Sequence, residues 1–128
     1  MTTQIFRNKD IESEFVSRFI KRELRRRWNS KLDDPSGRKK ILSRLYHKWD
    51  FIVEAKNPIK TNDLFKYIDK DSGYYVISNS NLFDSCTVAG SYLYEHEFSL
   101  INSGTVILQN NNSILVIRES DNWRLSIS

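Results

Sequence analysis

The side chains best suited to chemistry are cations that recur along one predicted helix. Four of them follow the spacing i, i+3, i+4 and i+7, which places them on one helical face: Arg18, Lys21, Arg22 and Arg25. A row of lysines and arginines can neutralise successive phosphates of a polyanion. The pattern therefore predicts a nucleic-acid-binding stripe. A solvated helix face without a partner is the alternative, because Glu14 stands four residues before Arg18 and would pair with it.

A second group of cations follows a glycine-containing turn, in the segment Ser36-Gly37-Arg38-Lys39-Lys40. The backbone N–H groups that open a helix attract phosphate, and neighbouring cations would strengthen that attraction. The segment lacks the pattern of a nucleotide-binding loop, so a plain helix start is the alternative. On this second helix the predicted nucleic-acid contacts are Arg38, Lys40 and Arg44.

The two histidines offer a catalytic alternative to simple binding. His47 and His96 stand in no metal-ligand spacing, so we expect neither a metal nor another cofactor. A histidine beside Arg118, Arg124 or a carboxylate would supply the proton transfer and the charge stabilisation that a metal-independent ribonuclease needs. On a strand, however, His96 would face away from the glutamates on either side of it.

Other reactive or stacking side chains add little to either interpretation. Cys86 has no basic neighbour to lower its pKa, and we expect a buried, inert thiol. Tyr92 and Tyr94 would share one face of a predicted strand, as base-stacking residues of RNA-binding sheets do. Trp28 and Trp49 recur at helical spacing with leucines, which favours a place in the core.

Composition limits the class of protein. The chain has 128 residues and a net charge of +4, but residues 1–50 carry +7 and residues 51–128 carry −3. This asymmetry is typical of a protein with one surface that faces a polyanion. No apolar run approaches the ~18 residues of a membrane span. The start lacks the features of a secretory signal and there is one cysteine, so we expect a cytoplasmic protein.

Hydrophobic periodicity predicts the elements that must position these residues. We expect a helix over about 10–28 capped by Asp10, a turn, and a second helix over about 36–56 capped by Asp34 or Ser36. A short helix over about 62–70 would begin at Thr61 or Asn62. The predicted buried positions of the helical hairpin are Val16, Phe19, Ile20, Leu24, Leu42, Leu45, Trp49 and Ile52.

From Tyr74 onward the pattern changes to the alternation of strands. Strands are predicted at 74–78, 88–101, 105–109, 114–119 and 123–127. Short asparagine-rich turns join the last three, which indicates a meander of hairpins. The predicted fold is a single α+β domain over 1–128, in which the hairpin of about 10–56 and the short helix pack on an antiparallel sheet of about 74–128 in two layers.

These observations favour a small basic binding or regulatory protein that contacts RNA or DNA through its N-terminal helical hairpin. Basic helices followed by an antiparallel sheet also outline the small metal-independent ribonucleases of toxins and phages, which keeps that activity as one alternative. An inhibitor or immunity-type protein that docks an acidic protein is the other. The predicted partner is thus nucleic acid or an acidic protein, and no membrane.

Overall fold

Helices occupy the first half of the chain in the computed structural model, and antiparallel strands occupy most of the second half. The structure describes residues 3–5, 7–54, 58–78, 84–95, 105–109, 114–119 and 122–127. The helices are α1 Lys9–Phe19, α2 Arg25–Leu32, α3 Pro35–His47, α4 Trp49–Ile52 and α5 Gly90–Glu95. The strands are β1 Thr3–Ile5, β2 Pro58–Thr61, β3 Gly73–Ser78, β4 Cys86–Ala89, β5 Thr105–Gln109, β6 Ile114–Glu119 and β7 Asn122–Ile127. The predicted α+β class is confirmed.

The predicted helix over 10–28 is wrong as one element, because the chain breaks at Ile20. Its backbone is extended (φ −91°, ψ 136°) and forms an isolated antiparallel bridge with Val53. The next amide, that of Lys21, donates to the carbonyl of Ile52 at 2.9 Å. The helical direction resumes through a 3₁₀ turn at Arg22–Leu24 and then α2. Pairing with the chain after α4 thus replaces the helical hydrogen bonds lost at the break.

The cap of α1 also differs from the prediction. Asn8, and not Asp10, is the N-cap: its side chain accepts a hydrogen bond from the amide of Ile11 at 3.1 Å. Asp10 lies in the first turn, where a carboxylate still interacts favourably with the helix dipole.

The second predicted helix begins with Asp34 as its cap, which is one of the two predicted alternatives. Asp34 caps α3 by accepting from the amide of Gly37 at 3.1 Å, and Pro35 occupies the first turn. The helix ends at His47, however, and not near residue 56. Lys48 leaves the helical region (φ −130°, ψ 36°), and the single turn of α4 starts in a new direction.

The seven described strands form one antiparallel sheet in the order β1-β4-β3-β5-β6-β7-β2. The last three predicted strands are confirmed as consecutive hairpins, with Val116 opposite both Val106 and Leu125. The edge strands β1 and β2 were not predicted. They pair with β4 and β7 respectively.

The predicted strand over 88–101 is wrong over 90–95, because the chain turns there into α5; residues 96–101 lie outside the described ranges. Tyr92 and Tyr94 are therefore helical and do not share a strand face. The Tyr94 hydroxyl donates to the carbonyl of Ile68 at 2.8 Å, and its ring lies under the ammonium of Lys70. The short helix predicted over 62–70 is a single 3₁₀ turn at Leu64–Tyr67.

Two clusters of buried side chains lie on opposite faces of β3. Tyr75 and Ile77 face the helices, where the predicted core positions are buried except Leu24, which is partly buried. Tyr74 and Val76 face the second cluster, which contains Leu93 of α5 and residues of β4 and β7. Both faces of this strand are therefore covered. No helix within the described ranges is long and apolar enough to cross a membrane.

Gly90 explains why the chain can turn sharply from β4 into α5. Its amide donates to the carbonyl of Ser72 at 2.7 Å, and a Cβ at this position would lie 1.9 Å from the carbonyl oxygen of Asp69. No side chain fits at that distance, because the atoms it would meet belong to the backbone of Asp69 and Lys70 and cannot rotate away.

We expect Gly90→Ala to lower the free energy of unfolding by ~3 kcal/mol, since the clash displaces backbone. Gly73→Ala is the matched control. A Cβ on Gly73 would meet no atom within 4 Å, so its stability should change by no more than ~0.5 kcal/mol. Urea denaturation of the two variants measures both effects, and equal stabilities would contradict this account of the turn.

Candidate nucleic-acid interface

Three of the four cations predicted on the first helix make contacts within the protein. Arg18 pairs with Glu14, as the i, i+4 spacing allows. Lys21 donates from Nζ to the carbonyl of Asp50 at 2.8 Å, and Arg25 donates from Nε to that of Ile20 at 2.9 Å. Arg22 is exposed. The break at Ile20 divides the predicted stripe, and Lys21 and Arg25 stabilise the break.

Arg38 is the clearest departure from the predicted interface. It was expected on an exposed basic face, but only 7% of the residue is exposed. Its guanidinium donates to both carboxylate oxygens of Glu12, at 2.9 and 2.8 Å, and to both of Asp84, at 2.7 and 2.9 Å. It also donates to the carbonyl of Leu32. Arg38 is therefore a structural cation of the core.

Glu12 completes this buried cluster from α1. Its carboxylate, 2% exposed, also accepts from the Tyr75 hydroxyl at 2.8 Å and from Nε of Arg7 at 2.9 Å. Burial alone would raise the pKa of Glu12, but the hydrogen bonds and charge of Arg38 outweigh it, and the net pKa is lowered. The carboxylates of Asp84 and Glu12 in turn hold the pKa of Arg38 above its ordinary value.

A different set of cations lines a groove between α2 and α3. The groove has a volume of about 330 Å³, and a smaller concavity of about 60 Å³ beside it shares Arg27, Ile41 and Arg44 with it. Together we call them the α2–α3 groove. Its five cations are Arg27, Lys31, Lys40, Arg44 and Lys48. Within the described part of the chain, none of these five side chains has a hydrogen bond or an ion pair.

The α2–α3 groove has an apolar floor and a mixed rim. Leu24, Trp28, Ile41 and Ile52 line it alongside the cations. Glu23 and Phe51 complete the lining. Arg27 and Lys31 lie four residues apart on α2, and Lys40 and Arg44 lie four residues apart on α3; Lys48 follows directly after the end of α3.

Of these five cations, helical spacing predicts Lys40 and Arg44 as nucleic-acid contacts; Arg27, Lys31 and Lys48 are not in the predicted set. The signal was present in the sequence as steps of four residues: Arg27 to Lys31 on α2, Lys40 to Arg44 on α3, and Arg44 to Lys48, which lies just past the end of α3. The predicted straight helix over 10–28 hides this spacing. It places Arg18 and Arg25 on one face, and it ends before Lys31.

The catalytic candidates do not assemble in this groove. His47 is exposed at the end of α3 and lines neither concavity. Arg124 donates to Asp50 at 2.7 Å and lies 5.0 Å from the ring of Trp49. His96 lies outside the described residues, and of Arg118 the structure describes the backbone in β6 but not the side chain.

Cys86 is buried, and burial together with nearby Asp84 raises the pKa of its thiol. Among the residues that the structure describes, no group of three His, Cys, Asp or Glu side chains is arranged to hold a metal ion. No known protein family, curated protein or solved structure matches this chain.

The lowered pKa of Glu12 predicts acid sensitivity. A carboxylate whose pKa is lower in the folded than in the unfolded state adds stability above its unfolded pKa, and this stability is lost as the pH falls through the folded value. We expect Glu12→Gln to reduce stability at pH 7 by ~3 kcal/mol, because Arg38 loses a buried partner. The variant should also lose less stability than the native chain between pH 5 and more acidic conditions.

Glu14→Gln is the control, because it removes only the exposed pair with Arg18. Its stability should change little at pH 7, and its pH profile should follow that of the native chain. Chemical denaturation across the pH range measures all three proteins. Equal effects of the two substitutions would contradict a structural role for the Glu12–Arg38 pair.

Proposed function

We propose that this chain is a binding protein that holds the sugar-phosphate backbone of a nucleic acid in the α2–α3 groove. One observation carries the proposal: five cations face one groove and have no partner in the described structure. By contrast, five other cations of the N-terminal half are engaged within the protein: Arg7, Arg18, Lys21, Arg25 and Arg38.

Phosphate binding would use these five cations at little cost to the fold. An exposed lysine or arginine without an ion pair releases no structural contact when it meets a phosphate. The phosphate in turn releases its condensed counterions, which drives binding and makes it weaker as salt rises. Arg27 and Arg44 would also bind phosphate oxygens through two parallel hydrogen bonds, as the planar guanidinium allows.

The ribonuclease alternative needs a proton-transfer group beside the bound backbone. The groove lining contains no histidine, and Glu23 is its one carboxylate, so no second proton-transfer group stands beside it there. The binding function therefore has more support in the geometry than the enzymatic one. A regulatory role would follow because the bound protein occupies part of the nucleic acid.

We expect binding to mixed-sequence RNA or DNA to weaken steeply with salt. If four of the five cations meet phosphates, the slope of log K against log salt should be roughly −3 to −4. Lys40→Gln with Arg44→Gln should reduce the magnitude of this slope by roughly 1.5–2. The substitutions should leave the melting temperature unchanged, because both side chains are exposed. Fluorescence anisotropy at several salt concentrations measures the slopes.

Lys66→Gln is the control, since Lys66 is an exposed lysine that lines neither concavity. Native-like binding by this variant would support the α2–α3 groove as the place where the nucleic acid binds. Affinity weaker than roughly 100 μM at low salt, or equal losses in the control and the double variant, would overturn the proposal. Cleavage of the RNA that disappears in His47→Ala would favour the ribonuclease alternative instead.

A further inference from the structure

Phe51 stands out on the rim of the α2–α3 groove because it is 76% exposed, while the other large hydrophobic side chains of the described structure are at least partly buried. A phenylalanine in water costs free energy that burial would recover. One exposed phenylalanine is ordinary by itself, but here its ring lines the same groove as the unpaired cations and offers a flat apolar face to whatever they bind.

The position of Phe51 is fixed by the rest of α4. Trp49 and Ile52, the first and last residues of this single turn, are both buried, so the residues that the turn exposes are the two between them, Asp50 and Phe51. Asp50 accepts a hydrogen bond from Arg124, and its carbonyl accepts one from Lys21.

The chain after α4 is held equally firmly. Val53 bridges Ile20, and the amide of Glu54 donates to the carbonyl of Phe19 at 2.8 Å. Because the chain on both sides of Phe51 is bonded to other elements, the backbone that carries the ring is held in place. A binding surface of this kind loses little conformational entropy when a ligand arrives.

The groove itself divides into two chemical parts. Arg27, Lys31, Lys40 and Arg44 surround the smaller concavity, which is the more cationic part. The larger concavity adds the apolar floor, Phe51 and the carboxylate of Glu23. Phosphates suit the first part. A flat, partly apolar ring with amino groups suits the second, because a carboxylate accepts hydrogen bonds from the amino groups of bases.

We propose that the ligand of the α2–α3 groove is a single-stranded nucleic acid, with its phosphates along the cations and one base stacked on Phe51. This inference rests on the proposed function and specifies the class of nucleic acid. Base faces are covered by their neighbours in a duplex, so only an unpaired strand can offer one to an aromatic ring. The volume of about 330 Å³ lies within the ~300–1,000 Å³ typical of clefts for small ligands.

An acidic protein segment is the competing occupant. It would satisfy the cations, but its carboxylates would meet Glu23 inside the same groove. Two carboxylates in one concavity repel each other, whereas the amino group of a base would donate a hydrogen bond to the Glu23 carboxylate. Charge complementarity therefore favours the nucleic acid.

The test compares three phosphate-containing probes on the full chain: a short mixed-sequence single strand, the matching duplex, and inorganic polyphosphate. Poly-glutamate is added as a probe that carries carboxylates alone. Phe51→Ala should weaken single-strand binding by roughly 5- to 100-fold, in line with the loss of one stacked base. Binding of the duplex and of polyphosphate should not change, because neither can stack. The melting temperature should also be unaffected, since the ring is exposed.

Phe51→Trp supplies the rescue. This variant should restore single-strand binding, and the emission of the added indole should be quenched on binding, whereas the native chain, with its own tryptophans as background, shows a smaller change. Lys66→Gln again controls for general charge effects.

The outcomes separate this inference from the function it rests on. If Phe51→Ala leaves single-strand binding unchanged, or weakens all three probes equally, the stacking proposal is overturned while backbone binding stands. If no oligonucleotide binds more tightly than roughly 100 μM at low salt, both proposals fail. Tighter binding of poly-glutamate than of the single strand would overturn the inference in favour of an acidic protein partner.

Discussion

The buried guanidinium of Arg38 is the constraint on which the arrangement of the elements depends. A charge with 7% exposure is tolerated only where its hydrogen-bonding groups have partners. Those partners come from α1 through Glu12, from the end of α2 through the carbonyl of Leu32, and from the segment before β4 through Asp84. One side chain on α3 therefore fixes the position of two other helices and of the sheet.

This constraint also determines which cations remain available for a ligand. Arg38 is neutralised inside the protein by Glu12 and Asp84, and Arg7 pairs with Glu12 and, at the surface, with Asp33, so these two charges are already compensated within the protein. The five cations of the α2–α3 groove, by contrast, are exposed and have no such partner among the described residues. The same packing that buries Arg38 thus positions the two helices as the walls of the groove.

Local sequence signals predicted local features of the fold. The Asp34-Pro35 start of α3 and the hairpins of β5, β6 and β7 depend on residues a few positions apart, and they were predicted correctly. The break at Ile20 depends on pairing with Val53, and the burial of Arg38 depends on partners 26 and 46 residues away. No window of sequence contains such contacts. The turn at Gly90 likewise depends on the backbone of Asp69.

The same contrast between local signals and contacts of distant residues holds for the candidate site. Lys40 and Arg44 follow from helical spacing on α3, which forms as predicted apart from its end. Arg27 could be assigned to the groove only once the break had set the direction of α2. Phe51 could not be recognised as exposed, because a helix continuing to residue 56 gives it no distinct environment, whereas the separate turn of α4 leaves it on the rim.

The most direct measurement of the central claim is the change in backbone amide chemical shifts of the full chain when a short single-stranded oligonucleotide is added. The account predicts that the largest changes fall on α2, α3 and α4, including the amides of Gly37, Arg44 and Phe51, while those of β3 and β4 remain in place. Changes concentrated on the sheet, with the amides of the α2–α3 groove unmoved, would contradict it.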